Sequence, residues 1–190
     1  MQLTSRFGKV VNIDGILVAI LIGSLGLNVY LGVSRNRAVA LAPNHPDLLA
    51  PGSQAPAFEG TTLTGGKVRL DYGKDARNTL LYVFSPTCHW CERNAANIKA
   101  IITARQDLHV VGINLGPKLD SQSAAKQPFT EVLRPTPQTA SAYHLASTPA
   151  TLLISPDGKV VNSWSGAYAG PIAGQISKAL AVNLPGLIDE

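Results

Sequence analysis

Residues Thr79 to Ile101 read TLLYVFSPTCHWCERNAANIKAI and contain both cysteines of the chain, Cys88 and Cys91. This stretch restricts the fold more than any other. The run TLLYVF is apolar and of strand length, suited to a strand buried on both faces. From Cys91 to Arg105, Ala95, Ile98, Ile101 and Ile102 recur at helical spacing, so a helix carries the second cysteine. LHVVGINL, Leu108 to Leu115, is a second buried strand. Strand, helix and strand in that order predict a right-handed crossover and a parallel pair, with the cysteines at the strand-to-helix turn.

Two residues between cysteines place both sulfurs in the first turn of a helix, within bonding reach of each other. Cys88 then sits at the helix N-terminus, where unpaired backbone N–H groups and the positive end of the helix favour a thiolate. The thiolate is the attacking species in disulfide exchange, and helix-terminal CxxC cysteines titrate anywhere from about 3.5 to 7.5. Cys91, one turn further in, is expected to resolve a mixed disulfide by attacking Cys88. A metal site needs two more ligands. His45, His89, His109 and His144 show no paired spacing and there is no second CxxC, so no metal is expected. A purely structural disulfide here restrains a loop of only two residues. Between a buried strand and a helix, the pair reads as redox-active.

The rest of the chain supplies an α/β sandwich. FEGTTLTGGKVRL predicts a hairpin, with two extended stretches flanking Gly65-Gly66. Residues 116–137 carry polar residues and four prolines, with a short helix expected near Ser121 to Lys126. Ala140 to His144 read as helical. ATLLISPDGKVVNSWSG is a second hairpin, turning at Pro156-Asp157-Gly158. An amphipathic helix over Gly170 to Ala181 closes the fold. A parallel βαβ half is thereby joined to an antiparallel hairpin half.

Ahead of this domain, Gly15 to Val33 contains no charged residue, and only Ser24 and Asn28 are strongly polar. A helix of that length spans roughly 28 Å, close to the bilayer's hydrocarbon thickness of about 30 Å. Arg6 and Lys9 precede the run and Arg35 and Arg37 follow it. A cleaved signal peptide with Ala38-Val39-Ala40 as its site is the competing reading. The run exceeds a normal signal core, and two arginines separate it from that site. An uncleaved anchor is the expectation. The predicted organisation is a tail at 1–14, a transmembrane anchor at 15–33, a linker at 34–52, a domain at 53–182 and a tail at 183–190. The net charge of +4, without any Lys/Arg-rich run interleaved with aromatics, argues against nucleic acid as a partner.

Strand, CxxC, helix, strand and then STPATLLISPDGKVV resembles a thioredoxin fold. PGSQAPAFEGTTLTGGKVRL ahead of it is similar to the N-terminal extension of membrane-anchored proteins of the TlpA/ResA type, within the redoxin group. SPTCHWC is similar to the MauD-type proteins at the same point. The resemblance covers about Pro51 to Ala181. It implies a cis Pro149 facing the disulfide, a Thr148 backbone that pairs with an extended substrate segment, and a domain outside the cytoplasm. From the sequence alone, Thr148 starts a strand. The peroxide-reducing spacing P-x-x-x-T-x-x-C is absent, because Pro86-Thr87-Cys88 are contiguous.

Three positions depart from the family's pattern. Thr87 stands where most relatives have tryptophan. Tyr82 stands where thioredoxins often carry a buried acid, and Asn94 where the ResA type has a glutamate. Both usual carboxylate proton acceptors are therefore missing, which argues against an efficient reductase that must deprotonate a buried Cys91. His89, between the cysteines, is expected to stabilise the Cys88 thiolate and make the pair more oxidising, or else to be an exposed imidazole with little effect. Trp90 forms an apolar docking surface beside the site or packs internally.

The expected function is a membrane-tethered thiol–disulfide oxidoreductase, anchored in the cell inner membrane by a single pass with its domain in the periplasm or otherwise outside the cytoplasm. It acts on cysteine-containing client proteins and is recycled by a redox partner, without an organic cofactor. The rival is a redox-inert thioredoxin-fold module for binding or assembly.

Overall fold

Every residue of Thr79–Phe84 is buried, and the strand it forms, β3, is paired on both sides. The structure is a computed structural model that describes residues 21–28, 30, 48–74, 76–120, 123–124 and 126–187. β3 pairs in parallel with β4 (His109–Asn114) and antiparallel with β6 (Ala150–Ile154). Outside β6 lies β7 (Val160–Ser165), antiparallel to it. On the other side come β5 (Val132–Pro135), parallel to β4, then β1 (Phe58–Thr62) and β2 (Lys67–Leu70). The seven-stranded sheet has the order β2-β1-β5-β4-β3-β6-β7.

Successive side chains of a strand point to opposite faces, and β3 uses this to serve two cores. Leu80, Tyr82 and Phe84 enter one cluster, where α2 (Ala95–Ala104) contributes Ile98 and Ile101 and α4 (Gly170–Leu180) contributes Ile176 and Leu180. Leu81 and Val83 enter the other, with Val111, Ile113, Phe58 and Tyr143. Tyr143 caps α3 (Pro137–Ala142), which starts at Thr136, whose hydroxyl accepts from the Thr139 backbone N–H. Each fully buried side chain of this size contributes about 1.5–3 kcal/mol. The layering of helices on both faces of the sheet is the predicted α/β sandwich.

The N-terminal hairpin turns at Gly65, in the positive-φ region as the Gly-Gly signal predicts. It is tied down by a tyrosine pair: Tyr143 donates to the Pro56 carbonyl, and the Tyr72 and Tyr143 hydroxyls lie 2.7 Å apart. Leu48 is buried against this second core, so the core draws on residues ahead of 53.

Three sequence expectations are corrected. The helix expected to run unbroken from Cys91 is two: α1 (His89–Arg93) and α2, separated by Asn94, whose side chain turns inward. Residues 116–137 contain β5, a strand of four residues ending on a proline, which inserts between β1 and β4. Of the short helix expected near Ser121 to Lys126, residues 123–124 are helical and 121, 122 and 125 lie outside the described residues. Thr148 does not start a strand, because β6 begins at Ala150.

Residues 21–28 and 30 are helical. Within them the Asn28 amide donates to the Ser24 carbonyl at 2.8 Å, and Leu21, Ile22, Leu25, Leu27 and Tyr30 are exposed. The rest of the expected anchor at 15–33 lies outside the described residues. Among the described residues no helix is long and apolar enough to cross a membrane.

Gly112 of β4 pairs with Tyr82, and a Cβ there would fall 2.6 Å from the Phe129 ring. Phe129 therefore lies on the sheet only because that position has no side chain. In a strand interior, Gly to Ala ordinarily stabilises by reducing the entropy lost on folding. Gly112→Ala should instead destabilise by about 1–3 kcal/mol in urea unfolding, the usual cost of overpacking. A neutral or stabilising result would mean that Phe129 does not rest on β4.

Candidate active site

β3 ends at Phe84, and Ser85-Pro86-Thr87 lead to α1. Cys88 is the N-cap, in an extended conformation, and its Sγ accepts from the Cys91 backbone N–H at 3.1 Å. Cys88 and Cys91 form a disulfide, with Cα atoms 5.2 Å apart. Cys88 is partly exposed and Cys91 is 8% exposed, so an incoming sulfur reaches Cys88 first. A backbone N–H directed at a sulfur favours the charged form of that sulfur.

His89 and Trp90 both face solvent. Trp90 is 49% exposed, with its ring edge-on to His89 at 5.5 Å and the Arg93 guanidinium 5.1 Å from its centroid. It does not pack internally. Thr148 and Pro149 join the site from the other half of the fold. Because Val83 of β3 pairs with Ala150 of β6, the two residues before Ala150 lie at the same sheet end as the cysteines. The Thr148–Pro149 peptide is cis. The Pro149 carbonyl accepts from the Gly166 N–H at 2.8 Å, while Thr148 has no hydrogen-bond partner among the described residues.

The two positions that lack a carboxylate meet each other. Asn94, fully buried, donates its amide to the Tyr82 hydroxyl at 3.1 Å. The Asn94 Oδ1 accepts from the Tyr168 backbone N–H at 3.2 Å and from Asn97 Nδ2 at 2.9 Å. Burial pushes the Tyr82 phenol up to about 12, against the smaller opposing effect of the Asn94 bond, so the group is neutral near pH 7.

Beside the disulfide lies a cavity of about 370 Å³ lined by Tyr82, Phe84 and Phe129, with both cysteines, Glu92 and Lys126 among its walls. The Phe129 ring stacks on Tyr82 at 5.8 Å and on Phe84 at 5.5 Å. Sequence reasoning passed over Phe129, Glu92 and Lys126. Phe129 lies in the stretch without periodicity, and its aromatic character in a polar, proline-rich segment was the one signal available.

Residues 51–163 match the model of the AhpC/TSA family. Among curated proteins, the thiol-disulfide oxidoreductase ResA of Geobacillus thermodenitrificans is 27% identical over 152 residues, covering 76% of this chain and 81% of that protein. The ResA of Geobacillus kaustophilus is 26% identical over 151 residues, covering 76% and 80%. Among solved structures, the thioredoxin domain of a thiol-disulfide oxidoreductase from Bacteroides vulgatus superposes with a TM-score of 0.54 at 19% identity, covering 70% of this chain and 99% of that one. A thiol:disulfide interchange protein DsbE from Chlorobium tepidum, so described provisionally, gives 0.52 at 23% identity, covering 70% and 96%. At these identities the two structures speak for the thioredoxin-like fold.

Proposed function

The chain belongs to the AhpC/TSA family, as a redoxin of the TlpA/ResA type, and we propose that it is a membrane-tethered thiol–disulfide oxidoreductase acting on cysteine-containing proteins outside the cytoplasm. The observation that carries this reading is the Cys88–Cys91 disulfide across the first turn of α1, with the more exposed sulfur at the helix N-terminus.

From this oxidised state a client thiolate attacks Cys88 Sγ. The Cys88–Cys91 bond breaks, and Cys91 leaves with the electron pair and takes up a proton. A second client thiolate then attacks the client sulfur bound to Cys88, so the client is oxidised and the pair is left as a dithiol. Running backwards, the same steps reduce a client disulfide, with Cys91 resolving the mixed disulfide. Thr148 is proposed to pair its backbone with an extended client segment, with Pro149 beside it and Trp90 as an apolar contact at the rim. The unpartnered Thr148 backbone and the exposed Trp90 ring support these roles. A further redox partner is needed to return the pair to its working state.

Cys91→Ala should accumulate mixed disulfides with client proteins on non-reducing gels, and Cys88→Ala should accumulate few. Equal trapping by both variants would void the assigned order of attack.

His89 is proposed to tune the pair by stabilising the Cys88 thiolate, supported by its place next to the helix N-cap. His89→Ala should then shift the reduction potential downward by about 15–60 mV, one pKa unit being worth roughly 30 mV for a two-electron couple. A potential within about 5 mV of wild type at pH 6 would remove the role. The same titration separates exchange from an inert module: a working pair lies near −120 to −270 mV and a structural disulfide below about −300 mV.

The anchor at 15–33 is proposed from its length and lack of charge, supported by the internally satisfied Asn28 amide. The full chain should stay in the membrane fraction through a carbonate wash, with its domain open to protease from outside the cytoplasm. A mature N-terminus at Leu41 would make the protein a released, soluble form.

A further inference from the structure

Two backbone N–H groups set the direction of a buried hydrogen-bond chain that ends at the active-site cavity. A backbone N–H can only donate, whereas an amide side chain can be turned either way. The Gly186 N–H donates to Asn97 Oδ1 at 2.9 Å, which turns the Asn97 Nδ2 toward Asn94. The Asn94 Oδ1 accepts that bond and a second from the Tyr168 N–H, which fills both its lone pairs. The Asn94 Nδ2 is therefore forced to face Tyr82 and to donate to its hydroxyl. Tyr82 is left an acceptor toward Asn94, and its own proton has no acceptor within the described residues.

Where that proton points follows from the surroundings. Tyr82 is 2% exposed, and the open space it borders is the cavity it shares with Cys88 and Cys91. Asn94 follows Cys91 by three residues, so its side chain and that of Cys91 are neighbours on one face of the turn. The Tyr82 hydroxyl is held by Asn94, and Tyr82 and Cys91 line the same cavity. Cys88 already has a backbone donor in the Cys91 N–H; among the described residues no donor bonds to the Cys91 sulfur.

We infer that the Tyr82 hydroxyl is the hydrogen-bond donor that stabilises the Cys91 thiolate once the disulfide opens, making Tyr82 a positioning residue for the resolving step. The inference rests on the exchange reading above. In resolution the Cys91 thiol first loses its proton to water. The Cys91 sulfur then attacks Cys88 Sγ, the Cys88–client bond breaks, and the client sulfur departs with the electron pair. Tyr82 keeps its proton throughout, consistent with a phenol that burial holds at about 12. The site thus lowers the cost of a buried thiolate with a neutral donor instead of a proton acceptor. The other titratable or charged groups around the cavity are Cys88 and Glu92 on the Cys91 turn, Lys126 ahead of β5 and Tyr168 against the Tyr82 ring, with His89 beside Cys88.

The test is the pKa of Cys91 in the full chain, read from thiolate absorbance in a Cys88→Ser background, together with the resolving rate of the two-cysteine protein loaded with a cysteine peptide on Cys88. Tyr82→Phe should raise the Cys91 pKa by about one unit and slow resolution about threefold at pH 7, because the less acidic thiolate is also the better nucleophile. Tyr168→Phe, which removes a neighbouring buried hydroxyl but keeps the backbone N–H that orients Asn94, should change neither. If Tyr82→Phe does not fold, 3-fluorotyrosine in place of all five tyrosines strengthens the donor and should lower the Cys91 pKa. The inference is overturned if the Cys91 pKa stays within about 0.2 of wild type in both Tyr82→Phe and the fluorinated protein. It is equally overturned if Tyr168→Phe moves that pKa as far as Tyr82→Phe does, since the effect is then one of packing. A wild-type protein that never exchanges with the peptide sinks the functional reading, while the pKa comparison still decides the hydrogen bond.

Discussion

The turn carrying both cysteines is fastened to the sheet through the side chain of Asn94. It is fully buried, it ends α1 and begins α2, and its three hydrogen bonds reach β3, the loop before α4, and α2. Leaving any one of those groups unpaired inside the protein costs about 1–3 kcal/mol, so the arrangement tolerates little movement. Cys91 lies three residues earlier on the same face. Its position over the sheet is therefore set by Asn94 as much as by the disulfide.

The same contact makes the interior around the site neutral. A phenol and an amide take the places where a carboxylate would have been the usual proton acceptor, and the amide donates to the phenol oxygen. A buried carboxylate changes charge with pH and has to be desolvated each time it ionises; this pair does neither. The carboxylate that does line the cavity, Glu92, is exposed at the rim, opposite in sign to Lys126. Charge at this site is thus kept at the surface, and the deeper wall is built from the rings of Tyr82, Phe84 and Phe129.

That aromatic wall in turn depends on an absence. Phe129 reaches Tyr82 and Phe84 because Gly112 leaves room on β4, directly beside Tyr82 in the parallel register. The cavity beside the disulfide is the consequence of a glycine on one strand, two aromatic residues on the next and a phenylalanine from the segment leading into β5. Those three pieces come from separate parts of the chain and have no local reason to be compatible.

Local pattern alone was enough for much of this protein. The six-residue apolar run, the CxxC behind it, the second buried run and the two hairpin turns predicted β3, α1, β4, β1–β2 and β6–β7, because period and turn chemistry are properties of neighbouring residues. The placement of Cys88 at a helix N-terminus followed from the same reasoning. Strand β5 was not legible: four residues with an arginine and a terminal proline carry no period, and the strand exists because β1 and β4 offer it partners on both sides. The break at Asn94 was hidden too, since an asparagine in an otherwise helical pattern turns inward only when something buried waits for it. Tyr82 and Asn94 were visible one at a time as missing acids, but twelve residues of strand, turn and helix separate them. Their meeting, the direction of the hydrogen bond between them and the cavity they border belong to the tertiary structure, because only packing brings together groups that the sequence keeps apart.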